Sequence, residues 1–230
     1  MNERTLKFRI EEKSGAHERE IEVRDAVIAG WTGRDAVALE KHIAELEALG
    51  VQRPASTPIY YRVAASRLSF APFIEVVGGE SSGEVEFVLV KAGGRLYVGV
   101  GSDHTDRQVE TYGVTVSKQM CEKPIASVLW EWDDVAPHWD RLVLRSYLLE
   151  NGELCLYQEG AVSSMRSPDD LATRYRGGTS LPDGTVMFCG TLAAIGGIRP
   201  SRRFHFEIED PVLGRAISHR YDVISLPVAG

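Results

Sequence analysis

Gly83-Glu84-Val85-Glu86-Phe87-Val88-Leu89-Val90 is the stretch on which the reading of this chain turns. Apart from two glutamates it is apolar and partly β-branched, and its length and composition predict a strand. Strand side chains alternate between faces, so Glu84 and Glu86 fall on the same side. Two carboxylates on one face of a segment that otherwise favours burial are costly unless a positive group neutralises them. A hard divalent cation held by oxygen ligands would do so. The alternative is that Glu86 faces solvent on an edge strand while Glu84 merely ends a turn.

Downstream lies Val98-Gly99-Val100-Gly101-Ser102-Asp103-His104-Thr105-Asp106-Arg107, a glycine-punctuated apolar strand that runs into polar residues. Asp103 stands at the strand end, a place where sites are often built. It is either a third carboxylate for the same cation or the N-cap of a helix that begins near Arg107 and Gln108. His104 is its neighbour on the chain and is expected to point the other way. Lys118 follows in Ser117-Lys118-Gln119. A lysine there is either a solvated surface charge or a cation placed to stabilise an enolate. Further on, Gly190-Thr191 and Gly196-Gly197 punctuate a loop after a buried strand, which suits either a tight turn or an anion-binding backbone. The chain has no P-loop, no dinucleotide fingerprint and no Gly-x-Ser-x-Gly elbow.

Around these segments the chain reads mostly as β. Residues 5–10 and 19–23 predict an N-terminal hairpin. A helix is expected from an N-cap at Thr32, through Ala36, Leu39, Ile43, Leu46 and Leu49, to a closing Gly50. Strands are expected at 59–63, 73–77, 84–90, 96–101, 142–149, 153–158, 185–189, 203–209 and 218–223, with short helices at 106–112 and 167–175. This is an α+β chain, mostly β, with an N-terminal hairpin-helix arm over residues 1–55 and a main domain over 56–230.

Composition narrows the function classes. With 230 residues, a net charge of −7 and no basic stripe, nucleic acid is not an expected partner. No apolar run reaches the ~20 residues of a membrane-spanning helix, and the N-terminus lacks the apolar core of a signal peptide. Cys121, Cys155 and Cys189 are an odd, widely spaced set that forms neither a disulfide framework nor a zinc motif. A cytoplasmic protein with reduced thiols is the expectation.

In order along the chain, these blocks resemble the catalytic domain of the fumarylacetoacetate hydrolase superfamily, in a divergent bacterial branch. The family's Glu-x-Glu strand looks like Glu84-Val85-Glu86, and its Asn-Asp-x-Ser-Ala-Arg-Asp segment looks like the run from Ser102 through Arg107. The family's Gly-Lys-Ser segment is similar to Ser117-Lys118-Gln119, and Asn-Gly-x-x-x-Gln to Asn151-Gly152 through Gln158. Its Gly-Asp-x-Ile-x-x-Gly-Thr-Pro segment resembles Asp183-Gly184 through Gly190-Thr191, with Leu192 where the family has proline. The resemblance covers roughly residues 59–223.

It implies a mixed β-roll or β-sandwich, a homodimer, and a Mg²⁺ or Mn²⁺ site. Glu84, Glu86 and Asp103 would be the ligands, Lys118 would face an enolate, and Gln158 and Thr191 would line the substrate pocket. The implied chemistry is C–C hydrolysis, decarboxylation, hydration or isomerisation of a small 2-oxo or diketo acid. The family hydrolases carry a His and Glu pair on a lid, and Tyr60 through Arg67 offers none. Arg62 is a candidate for the substrate carboxylate instead. The rival expectation is a ligand-binding or regulatory protein that keeps the roll without the chemistry.

Overall fold

The structure is a computed structural model, and it describes residues 4–48, 53–175, 177 and 180–229. The main strands are β1 (Arg4–Glu12), β2 (Gly15–Val23), β3 (Asp25–Gly30), β4 (Ile59–Val63), β5 (Phe73–Val77), β6 (Val85–Ala92), β7 (Arg95–Ser102) and β8 (Val128–Glu131). They continue with β9 (Val143–Glu150), β10 (Glu153–Ala161), β11 (Thr185–Phe188), β12 (Arg203–Asp210) and β13 (Arg215–Leu226). An eight-stranded mixed sheet runs β2-β1-β8-β7-β6-β11-β3-β4, and a five-stranded sheet runs β10-β9-β12-β13-β5.

The large sheet is strongly curled. Phe8 of β1 and Val63 of β4 come from opposite ends of the strand order yet belong to one buried cluster with Val88, Val90 and Phe188. A second cluster joins the other face of that sheet to the five-stranded one, through Val85, Phe87, Leu89, Leu144, Phe206 and Tyr221. The strand that carries the two glutamates is therefore central, with apolar side chains of β6 buried on both faces. This is the expected mostly-β α+β fold of curled, mixed sheets.

Residues 4–30 supply three strands of the large sheet: β1 lies parallel to β8, and β3 lies parallel to β11. The sheet thus runs across the boundary expected near residue 55. Strands β3 and β8 are absent from the sequence expectations. Their runs, Asp25-Ala26-Val27-Ile28-Ala29-Gly30 and Val128-Leu129-Trp130-Glu131, are short and carry no alternation that marks a solvent face.

The helices are α1 (Ala36–Ala48), α2 (Arg107–Glu110), α3 (Val114–Met120) and α4 (Pro168–Tyr175). Two capping expectations are corrected. Asp35, not Thr32, caps α1, accepting from the amides of Val37 and Ala38 at 2.9 and 3.0 Å. Thr32 is buried instead beneath Gly190. Asp106, not Asp103, caps α2 and accepts from Val109 N at 2.9 Å. Ser167 precedes α4 as expected and accepts from Asp170 N. Leu49 and Gly50, the expected end of α1, lie outside the described residues. All three cysteines are free, and no helix among the described residues is long and apolar enough to cross a membrane.

Candidate active site

Strand register builds the site. In the β6–β7 ladder Glu86 stands opposite Gly101 and Val85 opposite Ser102, and Asp103 N donates to Glu84 O at 2.9 Å one step further. Glu84, one residue before β6, and Glu86 within it alternate onto one face. Asp103, two residues past Gly101, reaches the same face from β7. One carboxylate oxygen from each of the three lies within 4.8 Å of the others. Residue 101 has to be glycine, because a Cβ there would come within 2.5 Å of the Phe188 ring and 2.9 Å of Pro124 O.

Three cations surround the carboxylates. Lys118, on α3, pairs with Asp103 Oδ2 and lies 3.8 Å from Glu84 Oε2. Lys123 is fully buried, with Nζ 2.9 Å from Asp103 Oδ1 and donating to His104 O at 2.5 Å. Asp103 is thus held between two ammonium groups, one at each carboxylate oxygen. Arg107 begins α2 and sets Nη2 3.2 Å from Glu84 Oε1, with Nη1 2.9 Å from Glu110.

The cluster holds its charges unequally. Burial pushes the Glu86 carboxyl well above the usual range, and the negative charges of Asp103 and Glu84 push it further. Burial also acts to raise Asp103, but the ammonium groups of Lys118 and Lys123 outweigh it and hold Asp103 below the usual carboxylate range. Burial acts to lower Lys118, and Asp103 and Glu84 more than offset this, so its amine stays protonated. His104 is excluded from this chemistry. Its ring shares hydrogen bonds of 2.9 Å with Tyr221 Oη and Ser81 Oγ, and burial lowers it to about 3, so it is neutral.

The loop after β11 forms one wall. Gly190 N donates to Glu86 Oε2 at 2.6 Å, with the glycine at a φ of 97°. Gln158 Nε2 donates to Thr191 Oγ1 and Leu192 O at 2.8 and 2.6 Å, while its Oε1 accepts from Val85 N and Ser146 Oγ. Thr191 Oγ1 in turn donates to Val85 O at 2.8 Å. Gln158 and Thr191 therefore reach the cleft wall, but their polar side-chain atoms clamp the loop to the start of β6. A cleft of about 810 Å³ opens above the carboxylates, lined by Glu84, Glu86, Lys118, Gln158 and Thr191 among others.

Of the sequence-predicted residues, the structure brings these five and Asp103 together. Arg62 is elsewhere: it does not line the cleft, and its guanidinium lies 2.5 Å from Asp25 Oδ1. Lys123 was missed because a lone lysine carries no local signal. Its place before Pro124 and Ile125, in a segment that turns apolar, is the only hint. Arg107 entered the sequence reading only as part of a motif. Both could have been sought by asking what balances three clustered carboxylates, two of them buried.

The donor set fits a hard cation. All three candidate ligands are carboxylate oxygens, a choice that suits magnesium, manganese or calcium over softer metals. The crowding of Glu86 by Asp103 and Glu84 is what a site shaped around added positive charge would show.

Known structures share this fold. Cg1458 aligns with a TM-score of 0.63 and 14% identity, over 97% of this chain and all of that one. Fumarylacetoacetate hydrolase from psychrophilic Exiguobacterium antarcticum aligns with a TM-score of 0.62 and 16% identity, over 97% of this chain and 100% of that one. A 2-keto-3-deoxy-D-arabinonate dehydratase complexed with magnesium and 2,5-dioxopentanoate aligns with a TM-score of 0.61 and 17% identity, over 92% of this chain and 77% of that one. No curated protein sequence matches the chain. The alignments establish a fumarylacetoacetate hydrolase superfamily fold. Residues 29–221 match the family model described as "Protein of unknown function (DUF2848)", and the chain belongs to that family.

Proposed function

We propose that this chain is a divalent-metal-dependent enzyme acting on a small 2-oxo or 1,3-diketo acid. The observation that carries the reading is the convergence of Glu84, Glu86 and Asp103 within 4.8 Å at the floor of a cleft, with Lys118 beside them. Glu84, Glu86 and Asp103 would hold Mg²⁺ or Mn²⁺, which when bound would supply Lewis-acid polarisation of the substrate carbonyl. Lys118 is protonated and buried next to Asp103, so it offers a fixed ammonium where negative charge develops as an enolate forms. The Gln158–Thr191 clamp would hold the wall at residues 190–192 against the substrate, and Gly190 N fixes the Glu86 carboxylate. The magnesium complex of the dehydratase relative supports the same class of ligand here. C–C hydrolysis, decarboxylation, hydration and isomerisation all share the enolate step.

Calorimetric titration of Mn²⁺ into the wild type and into Glu84→Ala, Glu86→Ala and Asp103→Ala tests the assignment. Binding is expected in the wild type and lost in each folded variant. Wild-type affinity in all three sinks the reading.

A ligand-binding or regulatory protein is the second reading, and one observation favours it. Lys118, Lys123 and Arg107 already pair with Asp103 and Glu84, two of the three candidate ligands. Turnover of an acylpyruvate that disappears with Lys118→Ala supports the enzyme. Tight ligand binding without turnover supports the rival.

A further inference from the structure

The cleft is much larger than its charged floor, and its walls have a chemistry of their own. Its lining includes Trp31, Leu39, Tyr61, Val114, Leu192 and Ile198. Two of these are aromatic. Trp31 adopts a φ of 57°, an unusual backbone conformation for so bulky a residue. Ile198 is 58% exposed at the rim, an apolar side chain left facing water beside the opening.

The charge inventory is equally one-sided. Among the described residues that line the cleft, Lys118 is the one basic side chain, against Glu84, Glu86, Glu110 and Glu159. Lys118 is already engaged by Asp103 and Glu84 at the floor. The arginines nearest the other two glutamates are committed to them: Arg107 lies 2.9 Å from Glu110, and Arg145 lies 2.7 Å from Glu159. A ligand with one carboxylate can present it to the floor. A second carboxylate at the far end would find mostly apolar walls, a few neutral polar groups such as Thr32 and Ser164, and glutamates, and it would lose hydration without a cationic partner among the lining side chains.

Resting on the 2-oxo acid reading above, we infer that the substrate is a monocarboxylate with an apolar or aromatic tail, and not a dicarboxylate. The tail would lie along Trp31, Tyr61, Leu39, Leu192 and Ile198. Volume agrees, since about 810 Å³ is at the upper end of small-molecule sites and exceeds the needs of a three-carbon acid.

The test is calorimetric binding to the Mn²⁺-loaded full chain of three probes: pyruvate, which is the head group alone, phenylpyruvate and 2-oxoglutarate. Phenylpyruvate is expected to bind about tenfold more tightly than either of the others, the discrimination typical of apolar pocket contacts. Ile198→Arg, a change at an exposed position, is expected to raise 2-oxoglutarate affinity several-fold (about threefold or more) and narrow that gap. Equal or tighter binding of 2-oxoglutarate by the wild type overturns the inference, and so does an Ile198→Arg variant with an unchanged preference. If pyruvate binds and the tails are not distinguished, the tail assignment alone fails. If none of the three binds, pyruvate included, the 2-oxo acid reading falls with it.

Discussion

Replacing Lys123 with methionine tests whether the carboxylate centre was built around charge. Lys123 and Asp103 are both fully buried, and the lysine amine lies 2.9 Å from Asp103 Oδ1. Methionine preserves most of the volume and removes the charge, so packing changes little and Asp103 is left with Lys118 alone. Removing one partner of a buried ion pair costs about 3–5 kcal/mol, because the other charge stays behind without compensation. In a chain of this size that corresponds to a fall in Tm of roughly 6–20 °C.

The same change should act in the opposite direction on metal binding. Lys118, Lys123 and Arg107 face Glu84, Asp103 and Glu110 as well as the crowded Glu86, so loss of Lys123 removes one positive charge and makes the cluster more attractive to a cation. Divalent-cation affinity should rise by about tenfold or more. Added Mg²⁺ at about 100 times its dissociation constant would then restore about 2.7 kcal/mol. The assay is urea denaturation of both proteins in chelator and in Mg²⁺, with Mn²⁺ titration calorimetry alongside. A loss below about 1 kcal/mol in chelator, where an uncompensated buried charge should cost several, refutes the charge argument. Weakened metal binding by a folded variant refutes it as well.

Two further outcomes follow from the same geometry. Glu86 is held above its unfolded pKa, so in chelator its contribution to stability is fully present below about pH 4 and is lost as pH rises through its folded value, by at most about 1.4 kcal/mol per pH unit. Glu86→Gln removes that dependence, so the stability of the variant relative to wild type should climb with pH above 4; a flat difference curve from urea melts counts against the buried, crowded carboxyl. Asp103 is held low and loses its contribution as pH falls, but it is present in both proteins and cancels in the difference to first order. Gly190→Ala places a Cβ 1.7 Å from Thr32 Oγ1 at a φ of 97°, so it should cost about 1–3 kcal/mol and weaken Mn²⁺ binding by disturbing the amide that holds Glu86. Unchanged stability and unchanged calorimetry would show that the loop does not position that carboxylate.

The site was legible where local pattern carried it. Alternation along residues 84–90 put Glu84 and Glu86 on one face, and the block order placed Asp103 and Lys118 near them. Where the chain reads the same in two settings, the pattern was silent. Strand β3 is apolar from Ala26 to Ala29 and looks the same on either face there, so only its pairing with β11 reveals it. Thr32 and Asp35 are both competent caps, and the contact between Thr32 and Gly190 decided between them. Arg62 suited a substrate carboxylate by type, and Asp25 holds it elsewhere.

By itself the sequence determined residue chemistry and strand parity: three carboxylates, a lysine, and the faces on which the glutamates fall. These depend only on side-chain identity and on the two-residue period of a strand. The tertiary structure decided which charges balance them. Lys123 and Arg107 reach the carboxylates through the bridge to Leu68 and through the start of α2, contacts that no local spacing encodes. It also decided that Gln158 and Thr191 hold each other, and that the cleft walls are apolar. Burial and partnership are properties of the packed chain, because each depends on residues brought together from distant positions.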